Sequence, residues 1–563
     1  MPNYRACRCL SSSAGVTGLL RTIRMRQRAN RLSSSKKLLT TTAVGVAVVL
    51  GLSACAPGSA ASTSGGQTLV IGMESEAGAL DPQSPAGWVT WRVDYQIYDT
   101  LVTEDLSKSS EEAPVTELKP GLASSWTVSP DGLVYTFTIR DANFTDGTPV
   151  DAAAVEYNVR RMWDPASPQY SPQAAGSSVY LWQNLADVSS DGQTLTLTMA
   201  QPFSPFLRLL AGIGGGGIIS PAALEKYGDE GIGDNPVGSG PFKFVDRVRG
   251  ERITLERNDD YWGDVPELDR VVFRPLPDAS ARVAALRSGD VDIIAVPSPD
   301  SVAGLVDEGY QLSEGTPPHV WFLRFNFDNE YTKNKLVRQA INLAIDREGM
   351  AEDLLQGTAN PAYDIQAPAN DAYVERTDAY TRNLEEAKAL LAEAGYPDGF
   401  TTTLTTSTDG SGQIVPVPMA EYIQQNLAEV GIDVKIDATE WTSYLGTYFQ
   451  GTPDDVGLAQ LSWGMTSPYW LYTQTSSSLI APNGPNVGYY SNPELDAVMG
   501  QAISATDDAA ATELWKQANE IATEDAVFAP IVNDKAPYIL APNVRGFVSA
   551  SEEWYDLTNV SLD

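Results

Sequence analysis

The sequence predicts a mixed α/β protein of more than one domain, and three observations carry that prediction. Strand-like stretches such as Ile253-Thr254-Leu255 and Val434-Lys435-Ile436 alternate with amphipathic helical stretches such as 335–345 and 419–430. Two segments in the first half have the alternation and turn chemistry of β-hairpins. The chain has 563 residues, 43% of them hydrophobic, enough apolar surface for more than one core, and it shows no repeat of solenoid period.

Residues 1–54 carry nine Lys or Arg and no Asp or Glu, and their uncharged last part, 38–54, ends in Leu52-Ser53-Ala54 ahead of Cys55. A basic leader, an apolar stretch and small residues before a cut form the layout of a signal peptide. The uncharged part falls short of the ~20 apolar residues of a spanning helix. Leu52-Ser53-Ala54-Cys55 resembles the bacterial lipobox, which implies that Cys55 is diacylated and becomes the first mature residue. Residues 55–67, rich in Ser, Gly and Ala, are too small and polar for a core and read as a flexible tether. Acyl chains contribute about 0.8 kcal/mol per buried methylene, so two or more hold a protein at a membrane. Met25-Arg26-Gln27-Arg28 would also open a leader of ordinary length.

Removing the nine leader cations leaves 29 basic residues against 72 acidic ones, a net charge of −43. Such a surface repels nucleic acid and anionic lipid. Cys7 and Cys9 fall in the leader, so the mature chain holds Cys55 alone and no disulfide framework.

Along the body, Gln67-Thr68-Leu69-Val70-Ile71-Gly72-Met73 reads as a first strand, and Asp81-Pro82 breaks the loop after it. Trp126 to Gly132 leads into alternating Leu133, Tyr135, Phe137 and Ile139, and Val188 to Gly192 leads into Leu195, Leu197 and Met199, giving the two hairpins. Asn383-Leu384-Glu385-Glu386 has capping-box spacing, with Leu384, Ala387, Leu391 and Ala394 on one helix face and Gly395 and Pro397 as the stop.

Ten blocks then occur in one order. They are Tyr98–Leu101, Leu118–Trp126 with Ser129–Gly132, Phe144–Val150, Asn235–Phe242, Asn258–Trp262, Leu286–Asp292, Val337–Asn342, Asp346-Arg347-Glu348, Ala394–Phe400 and Tyr490–Asp496. Together they resemble the family 5 extracellular solute-binding proteins of ABC importers, which include dipeptide-, oligopeptide- and nickel-binding receptors. The resemblance implies a two-lobed periplasmic-binding-protein fold of type II with an extra subdomain and an interlobe ligand cleft. It places the first lobe at 68–315 plus a return at 528–563, the extra subdomain at about 100–235 and the second lobe at 316–527. It also implies an extracytoplasmic receptor, expected as a monomer, that closes on a solute without chemical turnover and serves an ABC permease and ATPase complex.

The family's cleft is lined by the loop after the first strand, an aromatic strand of the second lobe and the stretch around a tryptophan. Here these are 74–81, 321–326 and the chain from Trp463 onward, giving Glu74, Glu76, Trp321, Trp463, Thr466, Tyr469 and Tyr489, with Trp88 shortly after the first segment, as the candidate ligand-binding set. The run 456–493 holds no Asp, Glu, Lys or Arg but holds Trp463, Tyr469, Trp470, Tyr472, Tyr489 and Tyr490. Aromatics with a polar handle serve a core or a ligand cleft equally well. Peptide-binding relatives carry an aspartate shortly after the tryptophan, and Thr466 stands there instead. That departure favours a neutral ligand or a peptide held in another way.

Other motifs lead nowhere catalytic. Gly214–Gly217 lacks the Lys and Ser/Thr of a phosphate loop and reads as a bend. His319 is the only histidine and would have to serve any Ser-His-Asp site, yet Pro317-Pro318-His319 looks like the start of a strand. One histidine and no mature thiol inside the body make ordinary zinc ligation a poor fit, so no metal or cofactor is expected. An enzyme with paired carboxylates and an extracytoplasmic chaperone with an exposed apolar surface remain as other classes.

Overall fold

The computed structural model describes residues 66–376, 379–410, 412–552 and 554–563. The leader, Cys55 and the tether up to residue 65 lie outside the described residues.

Two large sheets organise the chain. The first has seven strands in the order Phe242–Val248, Arg252–Arg257, Arg270–Pro275, Thr68–Met73, Ile293–Ala295, Tyr538–Leu540 and Gln311–Ser313. Thr68–Met73 lies in its middle, parallel to both neighbours, and its alternation buries Leu69, Ile71 and Met73 in one core. The second sheet has six strands in the order Ala359–Pro361, Phe528–Asp534, His319–Phe325, Val456–Gly464, Phe400–Ser407 and Ile432–Thr439. Every residue of His319–Phe325 and Phe528–Asp534 is buried, so both faces are covered, and the polar members His319, Arg324, Asn533 and Asp534 are enclosed with the apolar ones.

The chain passes between the sheets at 314–318 and again at 535–537. The Gly315 N–H donates to the Lys535 carbonyl at 3.0 Å, so the crossings run side by side. Phe528–Asp534 is still paired antiparallel to His319–Phe325, and Tyr538–Leu540 is the stretch that joins the seven-stranded sheet.

A third, four-stranded antiparallel sheet has the order Ala123–Val128, Val134–Ile139, Thr194–Met199 and Leu185–Asp191. It is made of the two expected hairpins, joined through Val134–Ile139 and Thr194–Met199. Their turns use Gly132 and Gly192 at φ of 70° and 60°, where a side chain would be strained. The capping pattern at Asn383 also forms: its Oδ1 accepts from the Glu386 N–H at 3.1 Å, starting the helix Leu384–Glu393, which buries Ala387 and Leu391. Among the described residues no helix is long and apolar enough to cross a membrane.

Candidate functional site

The helix Trp88–Ile97 buries Val89, Val93 and Ile97 in the core of the seven-stranded sheet. Its first turn points the other way. The Trp88 ring stacks on Trp554 at 5.0 Å, meets Trp91 edge-on at 5.6 Å and meets His319 at 4.7 Å. Two glycines of the six-stranded body close on the same ring. A Cβ on Gly464 would stand 2.2 Å from Trp88 Cζ2, and one on Gly412 3.4 Å from Cδ1. Trp88 is thus a strut from one body seated against bare backbone of the other.

From Trp88 a ring of contacts can be followed round. The Gly214 backbone lies against the Trp91 indole, so that a Cβ there would be 2.7 Å from Cε2. Tyr180 donates to the Gly214 carbonyl at 2.8 Å, and its ring packs on Trp470 at 5.2 Å. Trp470 Nε1 donates to Thr466 Oγ1 at 2.8 Å, and Thr466 leads back along the chain to Gly464. No side chain of this ring carries a charge. Burial pushes the Tyr180 hydroxyl up to about 12, so it stays a neutral donor through the biological pH range. The glycines at 214–217 serve close approach, and no phosphate loop forms.

A second seam lies beyond the ring. Phe203 packs edge-on to Tyr469 at 5.3 Å, Gln183 Nε2 donates to the Tyr469 hydroxyl, and Ser204 gives its N–H and Oγ to the carbonyls of Ile503 and Ala502, both at 2.8 Å.

The candidate residues are distributed unevenly over this geometry. Trp88 and Thr466 belong to the ring, and Tyr469 is buried in the second seam. Trp463 lies half-buried on the face of its strand opposite Gly464, with Phe449 at 5.9 Å. Trp321 is fully buried in the core of the six-stranded body, where its Nε1 donates to Asp534 Oδ2 at 3.1 Å. Tyr489, at φ 64°, lays its hydroxyl over Gly451. Glu74 accepts two bonds from buried Arg92 at 2.8 and 3.0 Å, and Glu76 pairs with Arg247 at 3.1 Å. Asp81, at the end of the same loop, pairs with Arg161 at 2.9 Å. Each of the three acids of the loop therefore has an arginine partner, that of Asp81 coming from the helix Ala152–Trp163.

Trp91, Tyr180, Trp470 and Trp554 were not in the candidate set. A signal for one of them existed: Trp91 follows Trp88 by three residues, the spacing that puts two side chains on one helix face. Buried Asp364 supports the ring from behind. It accepts from the N–H groups of Gln366 and Val374 and from Asn519 Nδ2, fixing the turn from which Asn370 Nδ2 reaches the Met465 carbonyl at 3.2 Å. Burial pushes the Asp364 carboxyl up to about 6.

His319 does meet a serine and an aspartate. Ser462 Oγ is 2.9 Å from Nδ1, and Asp534 Oδ2 is 4.0 Å from the same nitrogen. A hydrolytic triad needs its serine and its carboxylate on opposite ring nitrogens. This buried trio instead ties three neighbouring strands together. Among the described residues no group of three or more His, Cys, Asp and Glu is placed to hold a metal.

Known proteins share this architecture. The sequence pattern of the "Bacterial extracellular solute-binding proteins, family 5 Middle" matches residues 117–483. The chain is 31% identical over 491 residues to a glutathione-binding protein, GsiB, of Escherichia coli O1:K1 / APEC, covering 85% of this chain and 91% of that one. Among solved structures it is similar to the ABC transporter-associated periplasmic binding protein DppA from Helicobacter pylori in complex with peptide STSA. There the TM-score is 0.77 at 29% identity, over 88% of this chain and 98% of that one. It is also similar to AgaA of A. tumefaciens R10 in complex with agropinic acid, with a TM-score of 0.74 at 27% identity over 88% and 99% of the two chains. The chain belongs to the family 5 extracellular solute-binding proteins of ABC importers, a family of receptors and not of enzymes.

Proposed function

We propose that this receptor captures a short peptide or peptide-like solute inside the ring of Trp88, Trp91, Gly214, Tyr180, Trp470, Thr466 and Gly464, and hands it on unchanged to its permease and ATPase complex. The two lobes of this reading are the bodies built on the seven- and six-stranded sheets, and the four-stranded sheet is the core of the extra subdomain. The observation that carries it is electrostatic. Glu74, Glu76 and Asp81 are each held by an arginine, and Thr466 is committed to Trp470, so the ring offers aromatic faces and neutral hydrogen-bonding groups. The names of the glutathione- and peptide-binding relatives support a peptide-like solute. The uncharged aromatic wall also favours a second reading, a neutral oligosaccharide stacked on the rings.

An ammonium enclosed without a counter-charge costs several kcal/mol. N-acetyl-Ser-Thr-Ser-Ala amide, which carries no end charge, is therefore expected to bind at least as tightly as the free tetrapeptide, measured by calorimetry beside glutathione and maltotriose. Small-angle scattering should show a more compact particle with the binder, which mass spectrometry should recover intact. Recovery of a cleaved product sinks the receptor reading, and binding of maltotriose alone selects the second one.

The same reading includes a lipid anchor at Cys55, a monomeric receptor and a place on the outer face of the cell membrane. It is supported by the Leu52–Cys55 pattern and the tether behind it. Cys55→Ser should move the protein from the membrane fraction to the soluble fraction. A variant that stays with the membrane refutes the anchor.

A further inference from the structure

We propose that the Trp91 indole N–H selects the solute, donating a hydrogen bond to a neutral oxygen acceptor of carbonyl type enclosed by the ring. The inference rests on the receptor reading above and adds to it a residue and the chemistry that residue demands.

Trp91 Nε1 is buried and has no hydrogen-bond partner in the protein. The neighbouring indole and phenol donors are committed. Trp554 Nε1 donates to Glu104 Oε2 at 3.2 Å, Trp470 Nε1 to Thr466 Oγ1 at 2.8 Å, and the Tyr180 hydroxyl to the Gly214 carbonyl at 2.8 Å. Buried indole N–H groups ordinarily find an acceptor, because leaving one unpaired forfeits its hydration without return. The nearest backbone cannot supply one. Gly214 lies against the indole, where a Cβ would be 3.1 Å from Nε1, but its carbonyl accepts from Tyr180 and receives no bond from Nε1. The ring is also held in place, edge-on to Trp88 at 5.6 Å and to Trp554 at 6.4 Å, so it cannot turn to find a partner. A fixed, unsatisfied donor in the wall of an uncharged ring asks for an acceptor from outside the chain.

The acceptor's character follows from its surroundings. No cation in the ring would balance a carboxylate, so a neutral amide, ester or sugar oxygen fits and an anion does not. A donor that discriminates in this way resides in selection. A solute lacking an oxygen at that position leaves the N–H unpaired in both states and gains nothing from it, whereas one that has it gains a bond that water no longer competes for.

The test uses the full-length receptor labelled with nitrogen-15 at tryptophan. The Trp91 indole resonance is assigned by its loss in Trp91→Phe. Glutathione, Ser-Thr-Ser-Ala, its N-acetyl amide and maltotriose are the probes. Whichever of them binds should shift the Trp91 indole resonance downfield and slow its exchange with solvent. Trp91→Phe should weaken that probe by about 10-fold, the scale of one hydrogen bond, with its melting temperature and its closure by scattering preserved. Binding that leaves the Trp91 resonance unmoved overturns the assignment and spares the receptor reading. A resonance already shifted and protected in the empty protein shows a trapped water as the partner and overturns it too. Failure of every probe to bind overturns both the peptide-or-saccharide reading and the Trp91 assignment. Should Trp91→Phe not fold, the resonance of the unaltered protein still decides, assigned by selective broadening from a spin label on the exposed face of 172–177.

Discussion

Gly464→Val is expected to hold the two bodies apart and to weaken solute binding by at least about 100-fold, roughly 2.7 kcal/mol. The added Cβ would meet Trp88 Cζ2 at 2.2 Å and Cη2 at 2.7 Å, well inside any real contact. Trp88 cannot yield, being stacked on Trp554 at 5.0 Å and wedged against Trp91 and His319. The strand Val456–Gly464 itself has no quarrel with valine, a residue suited to extended backbone. The damage should thus fall on closure and spare folding. Scattering with saturating peptide should show an open particle, while the melting temperature of the empty protein changes little. Adding Trp88→Ala to Gly464→Val should restore part of the affinity, since the clash needs both side chains. If Gly464→Val binds as tightly as the unaltered protein, the Trp88–Gly464 contact is no part of the closed form.

Arg347→Met is expected to cost about 3–5 kcal/mol of stability, the largest effect of any single substitution considered. Arg347 is almost fully buried, and no carboxylate faces it. Its guanidinium instead gathers acceptors from four parts of the chain. Nε donates to the carbonyls of Ala362 and Pro530 at 2.9 and 2.8 Å, Nη1 to those of Asn342 and Tyr380 at 2.8 and 3.2 Å, and Nη2 to Asn342 Oδ1 at 3.0 Å. Burial lowers its pKa to about 10, which still leaves it charged at neutral pH. Methionine would fill the volume and leave those acceptors dry. Arg347→Lys should fail nearly as badly, because one ammonium cannot reach acceptors arranged around a planar fork. Denaturant unfolding measures the loss. A cost under about 1 kcal/mol would mean that the network is replaced by water at little expense.

These two residues show what was legible in the sequence and what was not. Short-range chemistry read well. The Asn383 cap, the glycine turns at 132 and 192 and the alternation of Tyr135, Phe137 and Ile139 each depend on residues within a few positions of one another, and each formed. Arg347 stood in a recognisable block, Asp346-Arg347-Glu348, but its acceptors at 342, 362, 380 and 530 could not be seen from that block. The partners of the loop acids were out of sight for the same reason: Arg92 lies 18 residues beyond Glu74, and Arg161 80 residues beyond Asp81. Aromatic composition marked 456–493 correctly as unusual, yet it could not say which rings face the other body. Trp470 does through Tyr180, while Trp463, beside Gly464 in sequence, points to the opposite side of the strand. Pairing of Phe528–Asp534 with His319–Phe325 joins segments about 200 residues apart, beyond the reach of any local pattern.

That last pairing has a consequence for the order in which the molecule is made. The final stretch of chain supplies an interior strand to each large sheet: Phe528–Asp534 stands between Ala359–Pro361 and His319–Phe325, and Tyr538–Leu540 between Ile293–Ala295 and Gln311–Ser313. Until those strands arrive, Gln311–Ser313 and Ala359–Pro361 have no sheet to join, and Ile293–Ala295 and His319–Phe325 each present an unpaired edge. Neither sheet is complete until its late strand has been synthesised. Folding of this kind is slow, because long loops must close before any pairing rewards them. The chain therefore stays short of its finished fold until its last strands are made, and an unfinished chain is one that can still be threaded through a narrow channel.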